Sequence, residues 1–263
     1  FDQVEAVLAQ LEGGQKVLVL ASGMCAATCV FQALSPGDHV LAPKVMYWSL
    51  RQWLLTFASK WGLRVDLVDM ADLDAVRTAL RPGQTKLIWA ETPANPLWTI
   101  TDIEAVATLA HGAGARLAVD STVATPVLTR PLALGADIVM HSATKYLNGH
   151  SDVVAGALVT RTDDAFWQAI KSNRTQLGGI LGSLECWLLL RGMRTLYARV
   201  TVACRSAQTI AERLAQNPNV VDVLDAQRHR RHGLFTGGHG YGWNRASCHH
   251  QAYGHAAQRP EPG

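Results

Sequence analysis

Two residues able to do covalent and acid–base chemistry stand at the ends of apolar runs. One is Lys145, in Met140-His141-Ser142-Ala143-Thr144-Lys145-Tyr146-Leu147-Asn148-Gly149-His150-Ser151-Asp152, which follows the run at 137–140. The other is Asp120, which closes a run starting at Arg116. A lone charge at the end of a buried strand is costly without a partner or a purpose, so the pattern predicts that both are buried for a reason. A lysine in such a place can attack a carbonyl and form a Schiff base. Ser142 and Thr144, three residues and one residue before it, add hydroxyls. A third run, Val17-Leu18-Val19-Leu20, leads into Ser22-Gly23-Met24 and a small-residue helix. Strand, glycine turn and helix N-terminus present free N–H groups to an anion. Taken alone, that segment reads more readily as an ordinary strand-to-helix turn.

These residues need elements to position them, and the chain alternates strand and helix patterns. Strands are expected at 16–21, 38–43, 63–68, 86–90, 116–119, 137–140 and 155–160. Helices are expected at 1–13, 26–34, 47–61, 71–80, 101–110, 163–172, 184–196 and 200–216, and a further strand at 220–224. Thr101-Asp102-Ile103-Glu104 reads as a capping box with Thr101 at the N-cap and Glu104 at N3. Short apolar strands between helices predict an α/β fold, a mainly parallel sheet with helices on both faces. In such sheets ligands gather at the carboxyl ends of the strands. Ser22, Glu91, Asp120 and residues 141–145 all lie there.

The composition, 48% hydrophobic and 17% charged, excludes a disordered chain. A net charge of +3 suggests a nucleic-acid partner only at first sight. Residues 226–263 hold five arginines and one acid, a local +4, so the preceding body carries −1. No nucleic-acid partner is expected. The five cysteines include no Cys-x-x-Cys pair, and Cys25 and Cys29, one turn apart, make too few ligands for a metal. Reduced structural thiols, no metal and a cytoplasmic setting are the expectation. No basic-then-apolar leader opens the chain and no apolar run approaches about 18 residues, so no membrane partner is expected. A start at Phe1 reads as a chain with residues missing upstream. After 225 the apolar periodicity stops and six of the ten histidines follow, a stretch expected to be disordered or an out-of-frame gene end.

A lysine, a carboxylate and anion donors together meet the demands of pyridoxal phosphate. Lys145 takes the aldehyde. Asp120 keeps the pyridine nitrogen protonated, and paired with that cation it stays ionised despite burial. Ser142, Thr144 and the N–H groups of Gly23 and Met24 take the phosphate, and Tyr47 is an aromatic candidate to stack on the ring. The chain resembles the pyridoxal-phosphate-dependent trans-sulfuration enzymes of cysteine and methionine metabolism. The resemblance is carried by Ser22-Gly23-Met24, Glu91-Thr92-Pro93-Ala94-Asn95-Pro96, Asp120-Ser121-Thr122-Val123-Ala124-Thr125-Pro126 and Pro131-Leu132-Ala133-Leu134-Gly135-Ala136-Asp137. The lysine block and Leu188-Leu189-Leu190-Arg191-Gly192-Met193-Arg194-Thr195-Leu196 complete it.

The resemblance covers about residues 1–224 and implies a fold type I large domain over 1–198. It also implies the start of a truncated C-terminal domain at 199–225, leaving 226–263 as a tail. It makes Lys145 the Schiff-base lysine and general base, with Tyr47 stacking on the ring as a second catalytic candidate. Gly23, Met24, Asn95, Asp120, Ser142 and Thr144 are the other cofactor residues, with Asn95 near the ring hydroxyl and the substrate carboxylate. The implied activity is elimination or replacement at a sulfur amino acid, of the cystathionine γ-synthase or γ-lyase type. A β-lyase shares most of the lysine block. The family is homo-oligomeric. Its N-terminal Tyr-x-Arg arm and the C-terminal arginine that grips the substrate carboxylate have no counterpart in this sequence, so a cofactor-binding fragment without catalysis is a second reading. A nucleotide-binding protein is a third, which no Gly-x-Gly-x-x-Gly or Gly-x-x-x-x-Gly-Lys run supports.

Overall fold

The computed structural model describes residues 1–224; the expectations placed on 226–263 lie outside the described residues. The elements run α1 (Asp2–Glu12), β1 (Lys16–Leu20), α2 (Gly23–Phe31), β2 (His39–Pro43), α3 (Trp48–Trp53), β3 (Arg64–Val68), α4 (Leu73–Ala79) and β4 (Thr85–Glu91). Then come α5 (Ile103–Gly112), β5 (Arg116–Asp120), α6 (Thr125–Leu128), β6 (Ile138–His141), β7 (Gly156–Thr160), α7 (Ala165–Gln176), α8 (Ser183–Met193) and α9 (Leu196–Ala215). All seven described strands fall where apolar runs predict them. They form one sheet in the order β1-β7-β6-β5-β4-β2-β3. Strands β2 to β6 pair in parallel, while β7 runs antiparallel to both β6 and β1. The β6–β7 connection carries the lysine loop and no crossover helix, so the chain returns beside β6 in the opposite sense.

The period-two pleat divides each strand between two apolar layers. Leu18, Leu20, Leu87, Trp89, Ala118, Ile138 and Met140 point to the layer beneath α2, α3 and α7. On the other face, Val17, Val19, Val139, Ala157 and Val159 pack under α1, α8 and α9. Beside them Leu41, Ile88, Leu117 and Val119 meet α4 and α5. Both faces are therefore covered, as near-continuous apolar strands require. Each fully buried leucine contributes about 1.5–3 kcal/mol of transfer free energy. Glu12 and His141 are the polar exception beneath α1: they are fully buried and joined by a 2.6 Å contact.

Four local expectations change. The α5 N-cap is Asp102, whose carboxylate accepts from Ala105 N–H, while the Thr101 N–H goes to Thr92 Oγ1. Glu104 therefore stands at N2 instead of closing a capping box at N3. The helix expected over 47–61 starts at Trp48 and widens into a π-helical turn at Leu54–Ala58, which keeps Leu54 and Ala58 buried. Residues 220–224 form no strand; they are largely exposed and pair with no strand among the described residues. Lys145 is exposed, so of the two charges that open the sequence argument only Asp120 is buried. No described helix is long and apolar enough to cross a membrane.

Candidate active site

Because β4, β5 and β6 are parallel, Glu91, Asp120 and His141 end at the same edge of the sheet. Leu20 pairs with Gly156 and His141 with Ala157, so β1 and β6 finish level on either side of β7. The pleat then sorts the side chains. Asp120 follows the parity of Ala118, and Glu91 that of Trp89, so both face the α2 layer. His141 follows Val139 to the opposite face, towards Glu12.

Asp120 Oδ1 accepts from Thr122 N–H at 2.9 Å and from Thr122 Oγ1 at 2.5 Å. Thr122 Oγ1 in turn accepts from Ser142 N–H at 2.7 Å. One threonine thus joins the buried carboxylate to the loop that carries Lys145. Burial pushes the Asp120 carboxyl above its ordinary range, against the pull of the two Thr122 bonds and His141. A cation placed beside it would restore the ionised form.

The N-terminus of α2 lies against the same loop. Ser22 Oγ caps Cys25 N–H at 3.0 Å, while the N–H groups of Gly23 and Met24, at the first two helical positions, have no intrahelical acceptor. A Cβ on Gly23 would come within 2.8 Å of Ser142 Cβ and Oγ, and one on Gly156 within 2.1 Å of Ser22 O. These two glycines let helix, lysine loop and β7 close on one another. Gly23 is buried, and Met24 and Ser142 are half-buried. The hydroxyl of Thr144 is engaged differently: it donates to Ala155 O and accepts from Ala155 N–H. Binding a phosphate would mean giving up the donation to Ala155.

The lysine loop is anchored on both sides of Lys145. Ala143, Leu147 and Asn148 are buried at 0–1% exposure, and Gly149 N–H returns to Lys145 O at 2.7 Å. Arg199 on α9 reaches across to donate to Tyr146 O, Leu147 O and Gly192 O. A Cβ on Gly149 (φ 71°) would strike that guanidinium, and one on Gly192 the carbonyl of Asn148. Asn148 Nδ2 also holds Asp152, which pairs with Arg191 at 2.7 Å.

Tyr47 and Asn95, both exposed, come from the loops after β2 and β4. Their N–H groups converge on Glu91: Tyr47 N donates to Oε2 and Asn95 N to Oε1, each at 2.8 Å. Glu91 is 5% exposed. Burial first, and the neighbouring Asp120 second, push its carboxyl up to about 8. Sequence reasoning placed Glu91 at a strand end without a role and passed over Thr122 and Arg199. The nearest signal for Thr122 was its place two residues after Asp120; Arg199 left none.

The residues fit pyridoxal phosphate: a buried carboxylate short of a cation, a helix end with two donors beside Ser142, and a lysine on the same loop. Among the described residues, no group of three or more His, Cys, Asp or Glu could hold a metal. Fold and site together define the class as the large domain of a fold type I pyridoxal-phosphate enzyme. The model of the Cys/Met metabolism PLP-dependent enzyme family matches residues 1–237. The chain belongs to that family. It is 40% identical over 233 residues to a probable cystathionine gamma-synthase of Herpetosiphon aurantiacus, covering 88% of this chain and 72% of the relative. To an L-methionine gamma-lyase of Porphyromonas gingivalis it is 43% identical over 223 residues, 84% of this chain and 56% of the relative. The crystal structure of cystathionine gamma-lyase from Lactobacillus plantarum complexed with L-serine matches with a TM-score of 0.83 at 38% identity. That match covers 87% of this chain and 61% of that one.

Proposed function

We propose that this chain binds pyridoxal 5′-phosphate through Lys145 and makes or breaks C–S bonds in sulfur amino acids, acting at the γ-carbon. The observation that carries the reading is the hydrogen-bonded link Asp120–Thr122–Ser142. It makes the ring-nitrogen partner, a phosphate-side residue and the lysine loop one unit. When bound, the cofactor supplies an electron sink for negative charge developing at the substrate Cα. Lys145 holds the cofactor aldehyde and then moves the Cα proton. Asp120 holds a proton on the ring nitrogen, Gly23, Met24, Ser142 and Thr144 hold the phosphate, Tyr47 covers the ring, and Asn95 orients the ring hydroxyl and the substrate carboxylate. The γ-carbon assignment draws on the gamma-synthase and gamma-lyase relatives. The cysteine pattern, with no Cys-x-x-Cys pair, suits a cytoplasmic setting, and the family reading extends to an assembly of like chains.

Purified protein incubated with the cofactor should develop a visible absorption band that Lys145→Ala abolishes. Turnover of cystathionine or an O-acylated homoserine should fall at least about 100-fold in that variant, as for loss of a general base. A wild-type protein that stays colourless with excess cofactor overturns the reading. A coloured protein that turns over neither substrate overturns the assignment of activity while leaving cofactor binding intact.

A further inference from the structure

A buried glutamate that the steps above do not use holds two of the residues that they do. Glu91, at the carboxyl end of β4, accepts from the backbone N–H of Tyr47 with one oxygen and from that of Asn95 with the other. The two acceptances come from separate loops, 44 residues and 4 residues away in sequence. We propose that Glu91 is a positioning residue that sets Tyr47 and Asn95 at a fixed separation over the cofactor ring, and so tunes cofactor affinity and substrate orientation. The inference rests on the cofactor-binding reading given above.

Four features separate this role from ordinary packing. An apolar side chain would suit a site 5% exposed far better than a carboxyl group does, yet only a carboxyl group presents two oxygens to two converging donors, and once ionised it offers them as equivalent acceptors. Tyr47 is also the residue immediately before α3, so its N–H bond fixes where that helix and the tyrosine ring begin. Asn95 lies between Pro93 and Pro96 in an exposed turn, and its N–H bond ties that turn to β4. Finally, Glu91 is the register partner of Asp120 across β4 and β5. The residue placing the ring's cover and the residue gripping the ring's nitrogen therefore stand side by side.

Glu91→Gln keeps size and polarity but offers one acceptor and one NH2 group, so one of the two N–H groups loses its partner. Three measurements test the role. In cofactor-free protein held above about pH 8, where the wild-type Glu91 carboxyl is ionised, amide exchange at Tyr47 or Asn95 should accelerate in the variant while exchange in β4 and β5 stays as in wild type. The dissociation constant for pyridoxal phosphate, titrated by the Lys145-dependent band, should rise roughly tenfold. In the loaded enzyme kcat/KM should drop about 100-fold, the scale of a misplacement near 1 Å, with KM for the amino acid sharing the change. Glu91→Asp, which keeps both oxygens one methylene short, should recover part of each effect, and it carries the same readouts if Glu91→Gln does not fold. Wild-type exchange at both amides with an unchanged cofactor constant overturns the proposal. The exchange measurement needs no cofactor, so a wild-type protein that fails to bind it sinks the functional reading without deciding this one.

Discussion

At the residue scale the site is a balance of buried charge. Glu91 and Asp120 are adjacent carboxyls on the face covered by α2, and both are pushed upward, chiefly by burial. This has a consequence for stability. In the unfolded chain Glu91 loses its proton near its ordinary 4.5, whereas in the fold it keeps it to about 8. Between those values the folded protein binds more protons than the unfolded one, so stability falls as pH rises. The contribution is fully present below 4.5 and is lost as pH passes through about 8, and Asp120 acts in the same direction. Denaturant titrations of cofactor-free protein between pH 5 and 8 should show this decline, with Glu91→Gln flattening it. An equal slope in variant and wild type would mean that the carboxyl is already ionised at pH 5.

At the element scale the lysine loop depends on a helix distant in sequence. Residues 142–155 join β6 to β7 without a helix of their own, yet Ala143, Leu147 and Asn148 are buried. The Arg199 guanidinium spans the carbonyls of Tyr146, Leu147 and Gly192 and so fastens the loop to α9 and the end of α8. Arg199→Ala leaves those carbonyls to find water and should cost about 2 kcal/mol, the scale of hydrogen bonds from a charged donor. Lysine, with a single ammonium in place of a planar fork, should restore little of it. Thermal unfolding of the three proteins measures this, and a full recovery by lysine would show that charge alone, not the fork, holds the loop. The same logic explains Gly149 and Gly192: each leaves room for the clamp or for the loop carbonyl it meets.

Over the whole molecule, a two-faced sheet holds the site edge rigid. Leu87, Ile88 and Trp89 on β4, and Leu117, Ala118 and Val119 on β5, are fully buried, so the strands ending in Glu91 and Asp120 cannot shift without opening both layers. Cofactor binding to this rigid edge should stabilise the fold as a whole by mass action. At a free concentration 100 times the dissociation constant the gain is about 2.7 kcal/mol, or roughly 5–10 °C in Tm for a chain of this size. Differential scanning calorimetry with and without pyridoxal phosphate reads it directly. Lys145→Ala should lose most of the shift, while a shift unchanged in that variant would place the main contacts elsewhere.

Much of this was legible in the residues themselves. Strand and helix patterns act over a few neighbours, so the seven strands and the order of glycine turn, carboxylate and lysine loop all follow from local sequence. Which side chains meet does not, because a one-residue change of parity sends a side chain to the other face of the sheet. Strand register therefore turns Asp120 towards α2 and His141 towards Glu12. It brings Thr122 to Ser142, 20 residues on, and Tyr47 to Glu91, 44 residues on. The antiparallel course of β7 and the exposure of Lys145 were likewise decided only in the assembled fold. Sequence alone offered the candidate groups for the chemistry. Tertiary structure supplied Thr122, Glu91 and Arg199 to hold them, since hydrogen bonds across such separations exist only once the sheet has set its register.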